Sequence, residues 1–265
     1  MNKYLTVFKT GFKQEKDAVF DNIVRSIIFC IIMYILVQLW SFIYGDNGTS
    51  AVINGYSLNQ MIWYLIIGEC IVNSARTSSI TREITNEIKT GSIAYKLNKP
   101  YNYYLYSISS FMAKSFFMML FTIPTAVLIG VIFVGVPDSF TWTQIIPCLI
   151  VFLMSILLNW CIFGVVGILA FWVQDSTPYY WIVSKLFILL GMFFPIEFFP
   201  VGLQPIIRYS PIYSVMSGPS SLVANFSWVE FGNVFVSQAI WVGITLIIGL
   251  GVLRLGRRRV TSNGG

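Results

Sequence analysis

Long uncharged apolar runs alternate with short polar stretches along most of the chain. Residues 26–45 hold twenty consecutive uncharged positions, and at about 1.5 Å of rise per residue such a helix crosses a hydrocarbon core of about 30 Å. This first span closes on Trp40 and Tyr44, aromatic residues suited to a membrane interface. A loop with Asp46, Asn47 and Gly48 leads to a second span at about 58–75, which carries Glu69 and Asn73. The third, at about 104–134, is long enough to tilt or to project beyond the bilayer, and Pro124 is expected to kink it. Asp138 and Trp142 mark the next turn. A fourth span lies within 139–174 and ends at Trp172, beside the tight turn Gln174, Asp175, Ser176, Thr177, Pro178. The fifth begins near Tyr179 and runs to Gly191, and the sixth, at about 231–253, stops at Arg254, Arg257, Arg258 and Arg259. The pattern predicts an all-α polytopic membrane protein with six transmembrane helices, one membrane domain spanning residues 1–265.

Three segments depart from the spanning pattern. In residues 1–22, Leu5, Phe8, Phe12 and Val19 share one face and Lys9, Lys13 and Lys16 another, as in an amphipathic helix lying at the interface with its lysines on anionic lipid headgroups. Residues 76–103 form the most polar interior stretch. Within it Ile80, Ile84 and Ile88 recur every four residues on a short polar helix that Gly91 terminates. In residues 193–200, Phe193, Phe194, Pro195, Ile196, Glu197, Phe198, Phe199 and Pro200 place two prolines around a carboxylate, which a straight lipid-facing helix does not sustain. The segment 195–230 that follows is too polar to span and too apolar for a solvated loop, so short re-entrant or interfacial helices are expected on the outer side.

Composition sharpens this picture. The chain is 56% hydrophobic and 11% charged, with a mean hydropathy of +0.74. Fourteen of the 17 Lys and Arg residues fall in residues 1–25, 76–99 and 254–259. Lys and Arg accumulate on cytoplasmic loops, so these stretches share one side, both termini are expected in the cytoplasm, and an even number of spans lies between them. Arg208 is the lone basic residue of the expected outer loops, where Ser220 should be reachable. A net charge of +6 divided among juxtamembrane segments does not indicate nucleic-acid binding. No cleaved signal peptide is expected. Cys30, Cys70, Cys148 and Cys161 sit in apolar runs without CxxC spacing, which indicates neither disulfides nor a metal site.

Candidate chemistry is sparse. There is no histidine and no recognisable pair of nucleophile and base, so no catalytic residues are assigned. No GxxxxGK[ST] loop occurs, so ATP-driven work needs another subunit, and no cofactor is expected in this chain. Glu69 and Asn73 lie one helical turn apart at membrane depth, where an ionised group costs about 2.5–3.5 kcal/mol by insertion scales. They belong either to a translocation path or to a structural pairing with Lys114, Lys185 or the headgroup layer. Lys114 itself is expected to reach back to the cytoplasmic interface. The helix bearing Arg82, Glu83, Ile84, Glu87, Ile88 and Lys89 has an apolar face to bury, against a cytoplasmic partner or the membrane surface.

The basic amphipathic N-terminus, the polar helix Arg82, Glu83, Ile84 through Thr90, Gly91, Ser92, Ile93, the sequence Leu97, Asn98, Lys99, Pro100 before the third span, and the Phe-Phe-Pro-Ile-Glu-Phe-Phe-Pro break together resemble the permease subunits of type-2 ATP-binding-cassette transporters. The resemblance covers essentially the whole chain. It implies that Arg82 through Lys89 form the coupling helix held by a cytoplasmic ATPase subunit, which binds ATP and Mg. It further implies an outer exit gate at Phe193, Phe194, Pro195, Phe198, Phe199 and Pro200, and a second permease, identical or paralogous, alongside. The expected location is a bacterial plasma membrane, and the expected function is export of an amphipathic, lipid-like, drug-like or peptide cargo. An ATP-independent secondary carrier is the alternative, but such carriers tend to show inverted repeats and several midplane charges. A membrane-embedded enzyme or assembly factor is a third class, disfavoured by the absent acid–base pair.

Overall fold

A computed structural model describes residues 3–45, 51–137 and 141–263, with side chains as far as residue 258. Asp46, Asn47, Gly48 and Asp138, the expected outer turns, lie outside the described residues, as does the Arg259 side chain. The order is α1 (Lys3–Gln14), α2 (Val19–Tyr44), β1 (Val52–Ile53), β2 (Tyr56–Ser57), α3 (Leu58–Ala75), α4 (Thr77–Lys89), α5 (Ile93–Leu97), α6 (Tyr103–Val134), α7 (Ile145–Ile168), α8 (Ala170–Val173), α9 (Thr177–Phe187), α10 (Gln204–Arg208), α11 (Gly218–Ala224) and α12 (Trp228–Asn263).

Among the described residues, four segments are long and apolar enough to cross a membrane: Lys3–Tyr44, Tyr103–Val134, Trp142–Val173 and Trp228–Arg258. The expected spans at 58–75 and 179–191 are also helical, but one is more polar and the other shorter. α3 has 18 residues, among them Asn59, Gln60, Glu69 and Asn73, and it sits among α2, α6, α7 and α11. Met61, Ile62, Tyr64, Leu65 and Ile66 are completely buried, so a large part of its surface meets protein and does not need a hydrocarbon face. α9 has 11 residues and continues as a π-helical turn, Ile188–Met192.

Local signals set the boundaries. An Asn54-Gly55 turn with both φ positive (49° and 88°) closes a small antiparallel hairpin pairing Val52 with Ser57 and Ile53 with Tyr56. Asn-Gly is the preferred pair for such a turn, and the hairpin is the exception to the all-α expectation. Ser57 then caps α3: its Oγ accepts from the Gln60 N–H, and the Gln60 side chain accepts from the Ser57 N–H. At the other end Arg76 adopts a left-handed conformation (φ 48°, ψ 37°) and turns the chain directly into α4. The terminal Ala75 carbonyl, buried in the bundle, accepts from Trp160 Nε1 at 3.1 Å and Ser115 Oγ at 3.3 Å, as a buried helix end requires.

Several expectations need correction. The N-terminal helix does not simply rest on lipid, because its apolar face packs on α6: Phe8 meets Phe116 edge-on at 5.7 Å and Phe12 meets Phe117 at 5.3 Å. Gly11, against Ala113, permits the approach. Lys9, Lys13 and Lys16 remain exposed. The first spanning helix starts at Val19, seven positions before residue 26, and α12 continues through Arg254, Arg257 and Arg258 as helix. Ser220 is completely buried.

Candidate functional site

Three regions gather the expected residues. On the polar side, α4 buries Ile80 and Ile84 (2% and 1% exposed) with Thr81 and Thr85, and its cover is the chain itself, chiefly α7, α8 and α9. Gly167 of α7 makes this possible: a Cβ there would lie 3.1 Å from Ile84. Thr81 Oγ1 donates to the Phe163 carbonyl at 3.2 Å, and Thr85 Oγ1 shares a 2.5 Å hydrogen bond with Ser176 Oγ. The isoleucine stripe, expected to need an outside partner, therefore already has one; Ile88 is half-buried. Left outward are Arg82, Asn86 and Lys89, which share a face at i, i+4 and i+7.

Ion pairs brace this helix. Glu83 accepts from Lys114 at 2.9 Å, and Glu87 accepts from Lys96 at 2.5 Å and the Tyr103 hydroxyl at 2.8 Å. Lys89 reaches Asp175 at 2.7 Å. The Lys89 ammonium, followed by the Thr177 hydrogen bonds, holds the Asp175 carboxyl well below the usual carboxylate range. Glu15 binds Arg76 at 2.8 Å, and Lys3 Nζ donates to the Pro100 carbonyl at 2.6 Å. So α1 and the residue that follows it fasten the N-terminal segment to the region 76–103 at Arg76 and Pro100.

At the break, the freed backbone groups are satisfied inside the protein. The Tyr64 hydroxyl of α3 donates to the Gly191 carbonyl at 2.6 Å and reaches the Phe194 carbonyl at 3.1 Å, and Ser217 Oγ also donates to Gly191. Gln204 Nε2 donates to the Phe199 carbonyl at 2.9 Å. Phe194 and Phe198 stand edge-on to Trp40 at 6.2 and 5.8 Å, and Phe198 lies 6.3 Å from the Tyr56 ring. Pro195 is buried, while Phe193 and Phe199 are half-buried and Pro200 exposed. The following segment dips inward: a π-helical turn, Tyr213–Ser217, and α11 carry fully buried Ser214, Val215, Ser217 and Leu222.

Sequence patterns did not disclose the polar cavity beside this break. It measures about 260 Å³ and is lined by Tyr56, Glu197, Arg208, Tyr213, Asn225 and Glu230 among others. Glu230, at the start of α12, accepts from Arg208 at 3.1 Å and from the Tyr213 hydroxyl. Arg208 thereby makes an inter-element tie. Gln238 was likewise unremarked: its buried Nε2 donates to the Val151 carbonyl, Ser155 Oγ and the Ser214 carbonyl.

Glu69 and Asn73 line a third region, a cleft of about 230 Å³ with Arg25, Phe29, Arg76 and Tyr180. Neither lysine expected as a partner of Glu69 pairs with it. Lys114 binds Glu83, and Lys185 lies over the Trp181 ring at 5.6 Å.

The helical bundle with its long apolar segments defines a multi-pass membrane protein. A family model described as ABC-2 family transporter protein matches residues 28–264. The chain belongs to that family, a permease of the ATP-binding-cassette class whose system includes an ATPase. No curated protein matches the chain.

Proposed function

We propose that the chain is the membrane subunit of an ATP-driven exporter, working with a separate cytoplasmic ATPase and a second permease, identical or paralogous. In this reading six helices cross the plasma membrane, α3 and the π-extended α9 among them, with both termini in the cytoplasm. The observation carrying the coupling role is the mounting of α4. Its apolar face is seated on α7 and its acidic residues are engaged by Lys96 and Lys114, so a push on its exposed Arg82, Asn86 and Lys89 is transmitted to the bundle instead of bending a loose loop. The cargo is amphipathic, lipid-like, drug-like or peptide, and it leaves past the aromatic break at 193–200.

ATP and Mg belong to the partner subunit, and the purified chain is expected to hydrolyse no ATP. The test is co-purification with the ATPase together with cargo-stimulated turnover. Arg82→Glu and Asn86→Glu together should release the ATPase while leaving the permease folded, since among the described residues neither side chain is tied to the bundle. Vanadate-sensitive turnover by a partner-free preparation, or full association of the double variant, would refute the assignment.

A further inference from the structure

The cleft beside Glu69 has an electrostatic asymmetry that the bundle itself does not resolve. Its walls are facing sides of two helices, Arg25, Phe29 and Ile32 on α2 against Glu69 and Asn73 on α3, with Arg76 in the turn that follows α3. Arg76 lies seven residues from Glu69, about 10 Å along the helix axis. The basic end is partly compensated: Arg76 is paired with Glu15 at 2.8 Å, and Arg25, part-buried and repelled by Arg76, is also attracted by Asp21 and Glu15. The deep end is not. Glu69 is 9% exposed, and among the described residues no ion pair or hydrogen bond reaches its carboxylate. Around it Ile28, Phe29, Ile32 and Val72 form an apolar wall. A buried carboxyl facing space rather than a protein cation can form an ion pair only with a group that enters from outside, and a positive group small enough for a cleft of about 230 Å³ would fit there.

We propose that this cleft binds an amphipathic cation, with its ammonium or similar group at Glu69 and its apolar body along Ile28, Phe29 and Ile32. As a statement about cargo class the proposal rests on the permease reading; as a statement about binding it stands alone. The probe is octyltrimethylammonium, with octyl sulfate as the anion of matched chain length. The full chain is placed in phosphatidylcholine nanodiscs, and binding is measured by equilibrium dialysis with empty discs subtracted. The wild-type chain should bind the cation saturably and the sulfate not at all. Glu69→Gln should weaken cation binding about tenfold or more, as removal of a buried charge partner does, and Glu69→Asp should retain most of it. Ile32→Lys, which installs a resident cation in the wall, should abolish it and covers the case in which Glu69→Gln fails to fold. Unchanged cation affinity in Glu69→Gln or Ile32→Lys, or equal binding of octyl sulfate, overturns the proposal. A wild-type chain that captures its ATPase but no cation sinks this inference alone, whereas one that binds the cation but no ATPase sinks the permease reading alone.

Discussion

Tyr64 and Gly130 carry the two residue-scale consequences that are sharpest. Tyr64 is completely buried, and its hydroxyl serves two carbonyls at the end of the fifth helix. Tyr64→Phe keeps the ring and removes the donor, leaving Phe194 short of a partner while Ser217 still serves Gly191. A hydrogen bond of this kind contributes about 0.5–1.5 kcal/mol, so a lowered thermal midpoint in detergent micelles is expected, with transport reduced more than membrane insertion. An unchanged midpoint would mean that water or Ser217 replaces the hydroxyl. At Gly130, an added Cβ would stand 2.5 Å from the Trp63 ring, which cannot swing aside because its Nε1 donates to the Gly135 carbonyl at 2.9 Å. Gly130→Ala should therefore destabilise by about 1–3 kcal/mol, the usual cost of overpacking, and unfolding of the purified variant would show it. Neither role was legible in the sequence, since a Tyr and a Gly inside apolar helices are common packing residues.

At the scale of elements, α4 divides into a face that builds the protein and a face left for others. Ile84→Asp would put a carboxylate against Gly167 inside the chain's own bundle. It should lower folding stability by several kcal/mol, so that loss of the ATPase accompanies loss of the permease itself. Arg82→Glu should leave thermal unfolding nearly unchanged. If Ile84→Asp folds normally and fails only in ATPase capture, the stripe is a docking face after all. Acid should loosen the tie between this helix and the turn after α8. The folded-state Asp175 carboxyl is depressed by Lys89, so its contribution is present above its unfolded value of about 3.9 and fades as pH falls through the lower folded value. Asp175→Asn should abolish that acid-dependent part of the unfolding profile. The stripe at Ile80, Ile84 and Ile88 was readable from its spacing; its cover was not, because a four-residue period states that a face is apolar and says nothing of which element lies over it.

For the whole molecule, topology is the consequence to test. If, as proposed, six helices cross and both termini lie inside, a cysteine at exposed Val201 or Trp228 in a cysteine-free background should react with an impermeant maleimide in intact cells. One at exposed Asn86 should react only after permeabilisation, and one at buried Ser220 on neither side. Labelling of Asn86 from outside would invert the arrangement. The fit of α1 along α6, together with the ties of Lys3 to Pro100 and of Glu15 to Arg76, makes the N-terminal segment part of this same body.

The linear pattern by itself determined where apolar helices run, which loops carry the positive charge, where α3 begins and ends, and that the chain between Phe193 and Pro200 must break. Each follows from local chemistry: hydrocarbon length, charge bias, capping residues and the missing N–H of proline. Partnership was decided by the tertiary structure. Lys114 could have served Glu69 or Glu83, and only the three-dimensional path of the chain delivered it to Glu83. Glu230, Arg208 and Tyr213 are scattered along the sequence and become one cluster only when α10 and the inward-dipping segment meet α12. Glu69 was conspicuous as a charge in an apolar run, but that it faces a cleft without a protein counterion depends on how α2 and α3 come together. Side-chain partners separated by tens of residues are set by the three-dimensional path of the backbone, which no local spacing encodes.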